Sequence, residues 1–418
     1  MDARIRLEWT VFKFSSHGGD LMSRLLALFL GVLSLTAVNA QAVEKDWTIL
    51  VFLNGNNNLD SFGALNINEM EKVGSTDKVN VVVQWASMAA PSVKRLYIQK
   101  DNDTNTVTSP VIEDIGVADM GDWNSLVAFV QWAKAKYPAK HYMLDIWNHG
   151  GGWHFRNNIA GGLHPTDISW DDKSGHVITT EQLGQAMTKI SDVLGQKLDI
   201  LGADACLMAM AEVTGEFSGT VDKFVGSQET EPGAGWPYDT WLARVVAKDS
   251  ATSADVGQFL AEEYRKSYQG GSHGTSEVTF SVLNMDKTAA LESAMQGLAK
   301  KIAGMTDADV AKIRQFASQA QSFYSSDYVD LIDFLDLAQV NLLDKESVSA
   351  VRDAVRDFVA TSQNTSNYAK AHGVSVWMPT AKYSYDSYST RYHGLQFAAH
   401  TGWASVLEAW FKNDHSFY

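Results

Sequence analysis

Short apolar runs that end in glycine- or asparagine-rich turns, each followed by a helical pattern, limit what this chain can fold into. Runs of this length form buried strands, and strands alternating with helices build a mostly parallel sheet covered on both faces. Residues 46–53, 79–85 and 141–147 read this way, as do Leu198, Ile200 and Leu201 and the later runs 223–227 and 277–284. Residues 93–99, after Pro91, read as an edge strand in a hairpin. Helices are expected over 59–73, over 122–137 with Asp122 as N-cap, and over 181–194 behind a capping box of Thr179 and Gln182. Beyond residue 250 the pattern turns helix-rich: 253–268, 287–303, 307–322, 328–338, 345–361 and 403–411, with one late strand at 373–378. The expected class is α/β, a mostly parallel central sheet flanked by helices with a helix-rich C-terminal part.

With 418 residues, 45% of them hydrophobic, the chain can bury a large core. A net charge of −15 without a basic stripe speaks against nucleic acid. Arg24 precedes an apolar run over 25–38 that is short for a membrane span and fits a secretory signal, with Val38-Asn39-Ala40 as its cleavage site; an uncleaved anchor is the other reading. The polar residues 1–21 are an odd preface, and Met22 makes a more ordinary start. The expected division is a signal peptide over 1–40, a core over 41–250 and a helix-rich region over 251–418 that completes it. The protein is expected to be exported, periplasmic or secreted, with no stable membrane anchor once the signal is removed.

In open parallel sheets, sites form just beyond the carboxyl ends of strands. His149 and Cys206 both stand there. Cys206 is the only cysteine, on a turn made of Gly202, Ala203 and Ala205, with 207–217 expected to be helical. A thiol at a helix N-terminus favours the thiolate. In an exported chain a lone thiol has no intramolecular disulfide partner, which makes it a candidate for chemistry; the plain alternative is a buried structural cysteine. A cysteine nucleophile needs a base, and His149, beside glycines 150–152, suits that role better than the other histidines. The glycines also free the backbone to aim N–H groups at a developing oxyanion. A loop histidine satisfied by its neighbours is the other reading.

Asn148-His149-Gly150-Gly151-Gly152-Trp153 after one apolar strand, and Asp204-Ala205-Cys206-Leu207-Met208 after another, resemble the clostripain-type cysteine peptidases of the caspase-like clan. The resemblance runs through most of the chain after the signal. It includes Asp171-Asp172-Lys173-Ser174-Gly175, residues 227–233, Asp327-Tyr328-Val329-Asp330-Leu331 and residues 373–379. It implies a caspase-like sheet and an endopeptidase that cuts after Arg or Lys, acting on peptide or protein substrates with basic residues. By the same resemblance Cys206 is the nucleophile and His149 its partner in a dyad that needs no third residue. The backbone N–H groups of Gly150 and Cys206 form the oxyanion hole. Asp204 lines the pocket for the basic side chain, a role a buried carboxylate can fill; a turn or N-cap carboxylate is the alternative. Basic-selective relatives carry a second acid in the next loop, where this chain has Gly233-Ala234-Gly235. That leaves Glu229, Glu231 or Asp239 to substitute, or a less strictly basic pocket, with Trp236 and Tyr238 either walling it or packing. Relatives are also made as zymogens that cleave themselves between the histidine and the cysteine, which points here to Arg156 or Lys173.

No metal or cofactor is required by these residues. Asp167, Asp171, Asp172 and Glu181 suggest calcium, but the EF-hand template would place Trp170 at its first ligand position, so a solvated hairpin is the competing reading. The spacing of His149, His154 and His164 is not that of a zinc enzyme. Two other functional classes remain: a catalytically silent caspase-like binding protein of the cell envelope, and a metal hydrolase sensitive to chelators.

Overall fold

The computed structural model describes residues 43–154, 156–159, 162–165 and 167–412, so the signal peptide expected over 1–40 lies outside the described residues. The first apolar run becomes β1 (Lys45–Gly55), buried over all but its first two residues, as a strand covered on both faces must be. To one side lie β2 (Val79–Ser87), parallel to it, then β3 (Lys94–Tyr97) and β4 (Val111–Asp114), both antiparallel to their neighbours. To the other side come β5 (Ala139–Trp147), β6 (Leu198–Asp204) and β7 (Val221–Gly226), all parallel. Then β8 (Thr279–Asn284) and β9 (Val359–Asn364) close that edge antiparallel. The sheet therefore runs β9-β8-β7-β6-β5-β1-β2-β3-β4.

Alternate residues of each strand feed two cores. Leu50, Phe52, Leu144, Ile146 and Leu201 meet α2 (Trp123–Lys136), α3 (Thr180–Leu194) and α6 (Thr288–Ala303). Ile49, Val51, Met143 and Ile200 meet α1 (Asp60–Glu71), α4 (Tyr238–Ala247) and α5 (Ser253–Ser267). Among the described residues no helix is long and apolar enough to cross a membrane.

Several elements differ from expectation. Residues 93–99 are not the edge, because β4 pairs beyond them. The helix expected over 345–361 stops at Phe358, and the β-branched Val359 and Thr361 go into β9. Residues 373–378 do not extend the sheet: Ser375–Trp377 pairs with Tyr328–Asp330 in a separate ribbon, which also removes the first turn of the helix expected at 328–338. The polar segment read as irregular over 155–176 holds two hairpins, Arg156–Ile159 with Gly162–Pro165 and Ile168–Asp171 with His176–Ile178.

One ion-pair cluster ties the C-terminal region to the loop after β5. Arg391, on α7 (Lys382–Tyr392), donates to Glu181 from Nε at 2.8 Å and Nη2 at 2.6 Å, and to both oxygens of Asp167. Asp167 is fully buried, caps Thr180 N at 2.9 Å, and its carbonyl accepts from Gly151 N at 2.8 Å. Removing one member of a buried pair strands the other charge, which costs about 3–5 kcal/mol. Arg391→Ala is therefore expected to lower stability to urea by that amount. A loss below about 1 kcal/mol, the range of an exposed pair, would show that the cluster does not hold this region.

Candidate active site

The parallel register of β5 and β6 sets Trp147 opposite Asp204, and Asn148 N extends the ladder to Asp204 O at 3.2 Å. His149 and Cys206 thus leave adjacent strands at the same level, each two residues past the paired end. Their loops pack backbone to backbone. A Cβ on Gly150 would lie 2.4 Å from Cys206 O and 3.1 Å from Cys206 N, so no larger residue fits. Gly152 holds φ +67°, and a Cβ there would meet Met210 Sδ at 2.5 Å.

A third loop locks this pair in place. Asn54 near the end of β1 and the asparagines that follow Gly55 bind the hairpin strand Ile168–Asp171: Asn54 Nδ2 and Asn57 Nδ2 both donate to Trp170 O, at 3.1 and 2.9 Å, and Asn56 Nδ2 donates to Asp171 Oδ2 at 2.9 Å. Asn148 joins them, giving to Asn54 O at 2.6 Å and accepting from Trp170 N at 2.7 Å. So bolted, the loop presents Asn58 to His149, whose Nε2 lies 2.6 Å from Asn58 Oδ1. An amide oxygen only accepts, so Nε2 carries the proton and Nδ1 keeps its lone pair. Burial lowers the imidazole pKa and keeps the ring neutral.

Cys206 does not open a helix. The only helical stretch nearby is Ala211–Gly215. Leu207 sits at φ +66°, a strained conformation for a branched residue, held by its N–H to Glu229 O at 3.1 Å. Ala209 bonds Ser227 O at 2.9 Å and accepts from Ser375 N at 3.1 Å. Leu207, Met208 and Met210 are all buried, so this segment has no solvent face, and tertiary pairing overrides its helical composition. The helix dipole expected to favour a thiolate is therefore absent. Burial pushes the Cys206 thiol up to about 11, and the nearby carboxylates of Glu229 and Asp204 add to it. The amides of Glu231, 3.2 Å from Sγ, and of Gly150 pull the other way without prevailing. No hydrogen bond joins Sγ to His149 among the described residues; the thiol and the imidazole both rest neutral.

Behind the thiol is a cluster of acids. Asp204 ends β6 with 5% exposure, and its Oδ2 accepts from Tyr238 Oη at 2.9 Å and Trp236 N at 3.1 Å. The carboxyl of Glu231 lies against that of Asp204 and receives Trp236 Nε1 at 3.0 Å. Burial raises Asp204 to about 6, and burial together with the charge of Asp204 holds Glu231 well above the usual carboxylate range. Of the substitutes open in the sequence, Glu231 is the one that reaches Asp204. Asp239 pairs with Lys72 at 2.8 Å, and Glu229 accepts from Tyr368 Oη at 2.8 Å. Trp236 and Tyr238 are fully buried and wall the cluster while packing into the second core. Asp204 caps no helix. Within electrostatic reach of Asp204, His273 meets Glu69 at 2.9 Å. Sequence reasoning missed Asn58 and Asp145; the only signals were an asparagine tract and one acid inside an apolar strand.

The other candidates lie apart from the thiol's own contacts. Arg156 begins the strand Arg156–Ile159, and Lys173 occupies a hairpin turn with Nζ donating to Ser87 O and Ala90 O, each at 2.7 Å. Asp171 accepts from Asn56, Met120 N, Lys173 N and Ser174 N, while Asp167 and Glu181 hold Arg391. Among the described residues no group of three or more His, Cys, Asp or Glu side chains is arranged to hold a metal ion.

Comparison with known proteins gives the family. The clostripain from Hathewaya histolytica is 24% identical over 414 residues, covering 82% of this chain and 76% of that protein. A secreted C11 cysteine protease from Bacteroides thetaiotaomicron, solved with an irreversible peptide inhibitor, superposes with a TM-score of 0.65 at 21% identity, over 86% of this chain and 99% of that one. An inactive zymogen C11 protease from Parabacteroides distasonis gives 0.66 at 20% identity, with the same coverage. At these identities the two structures speak for the fold. The profile of the clostripain family matches residues 51–410, a span that holds both strand ends and the acid cluster. This chain therefore belongs to the clostripain family and is a cysteine-type peptidase.

Proposed function

We propose that this peptidase is exported, cuts peptide bonds after Arg or Lys, and matures by cutting itself. The observation that carries the specificity is the acid cluster: Asp204, two residues before the thiol at the end of β6, is buried together with Glu231, and no Lys or Arg of the described residues bonds either. Burying carboxyls without a cation is costly. A guanidinium or ammonium brought by the substrate supplies the missing charge.

In this reading Cys206 is the nucleophile and His149 the base, with Asn58 fixing the tautomer. The resting thiol is kept protonated partly by nearby carboxylates, so a bound cation lowers its pKa when substrate is in place. His149 Nδ1 takes the thiol proton, and the sulfur adds to the scissile carbonyl carbon. The carbonyl electron pair moves to oxygen, held by the N–H groups of Gly150 and Cys206. Collapse expels the amine, which takes the proton from His149, and water then cleaves the acyl-enzyme by the same route.

The apolar run after Arg24 supports export, and a structural neighbour is described as secreted. Another is described as an inactive zymogen, which supports self-processing. The ammonium of Lys173 is committed to two carbonyls, which favours cleavage after Arg156. Purified wild type should turn over Arg- and Lys-terminated reporters and resolve into two chains, whereas Cys206→Ala should do neither. Turnover surviving Cys206→Ala would overturn the mechanism, and a wild type without turnover after limited proteolysis would favour a silent binding protein.

The pocket also fixes a pH dependence. Asp204, raised to about 6, binds a cation only when ionised. As pH falls through 6 the carboxylate is lost and KM for an Arg reporter should rise, by up to about tenfold per unit, while KM for a neutral analogue stays flat. An Arg KM unchanged from pH 7.5 to 5 would remove Asp204 from recognition.

A further inference from the structure

Asp145 has no part in the mechanism above, yet it is the most deeply placed acid of the cluster. It lies on β5 at 0% exposure, opposite Gly202 of β6, where a Cβ would come within 3.1 Å of its Oδ1. Its Oδ1 accepts from Asp204 N at 3.2 Å, and its Oδ2 lies 2.6 Å from Tyr238 Oη. That same Tyr238 oxygen is 2.9 Å from Asp204 Oδ2.

Counting protons decides the roles. A phenol has one hydrogen and here faces two carboxyl oxygens, so one of the acids must return a proton to the phenol oxygen. Leaving the shared Tyr238 aside, Asp204 collects two donors, Trp236 N and Glu231. Asp145 collects one, Asp204 N at Oδ1, which leaves Oδ2 to carry the proton. We propose that Asp145 is a positioning residue for substrate specificity: a carboxyl held neutral, whose O–H donates to Tyr238, whose O–H in turn donates to Asp204 and fixes it as the ionised acid of the pocket. The sense of the chain follows from the surroundings. Facing the cluster are Asp204 on β6, Glu231 on the loop after β7, Tyr238 on α4, Tyr264 on α5, Tyr268 at the C-cap of α5, and the His273–Glu69 pair. The only cationic candidate among them, His273, acts on Asp204 and is bonded to Glu69. Burial and the charge of Asp204 both hold Asp145 well above the usual carboxylate range, in agreement with the hydrogen-bond geometry.

The inference rests on the reading of Asp204 as the residue that binds the basic side chain, and the variants separate the two. Asp204→Asn should raise KM for an Arg reporter at least about 30-fold, the loss of a buried charge partner. Asp145→Val should raise it about tenfold, the loss of a hydrogen bond supporting a charged acceptor, with kcat nearly unchanged. Asp145→Asn should rescue most of that loss, because the amide can donate to Tyr238 and accept from Asp204 N as a neutral carboxyl does. If Asp145→Asn loses as much as Asp204→Asn, Asp145 is a recognition charge and the inference is overturned while the reading stands. If Asp204→Asn keeps the Arg preference, it is the reading that fails. Should the variants not fold, wild type labelled with carboxyl-13C aspartate gives the answer directly. A protonated-carboxyl band from aspartate should persist in its infrared spectrum at pH 8, and its absence would overturn the proposal.

Discussion

Everything at the site depends on the register of two parallel strands. Because Trp147 pairs with Asp204, the chain leaves β5 and β6 at one level and delivers His149 and Cys206 to neighbouring loops. A slip of one residue would turn every side chain of β6 to the opposite core, sending Asp204 away from Tyr238 and Trp236. The loops then meet so closely that Gly150 has no room for a Cβ against Cys206. The asparagine loop after β1 and the Arg391 cluster act on this arrangement from outside, one through Trp170 and the other through Asp167.

The electrostatics follow from the same placement. Three acids stand near one another at the ends of β5 and β6, in surroundings too dry to ionise them all. The resting protein answers by keeping protons on Asp145, on Glu231 and on the thiol, and leaves the charge on Asp204. This state is stable but unreactive, since a buried neutral thiol is a poor nucleophile. A basic side chain entering the cluster would change both properties at once: it would stabilise the ionised acids and relieve the repulsion that keeps the thiol protonated. In the proposed reading, specificity and activation are one electrostatic event, which suits a peptidase that must not act before its substrate is seated.

The central strands and both loop positions could be read from sequence because continuous apolar runs leave few alternatives, and a sheet concentrates chemistry at its strand ends. What could not be read had local signals that conflicted with tertiary pairing. Residues 207–210 have helical composition, but they are buried on every side and pair with Ser227, Glu229 and Ser375 instead. The helix at 345–358 carries a regular apolar face, yet nothing in the sequence before Val359 marks where the chain turns into β9. Asn58 is one asparagine in a tract, and its contact with His149 depends on the hydrogen bonds of its neighbours. Glu231, Glu229 and Asp239 are equivalent acids in sequence, and only the path of the loop brings the first of them to Asp204.

The most direct test of this account is covalent trapping with a pair of peptide inhibitors that carry the same thiol-reactive group and differ only in the residue occupying the acid pocket, arginine or its neutral isostere citrulline. Intact mass and peptide mapping would report stoichiometry and site. The account predicts one equivalent bound to Cys206 with the arginine compound, at a rate at least tenfold above that of the citrulline compound. Labelling at another residue, or equal rates for the two, would contradict it.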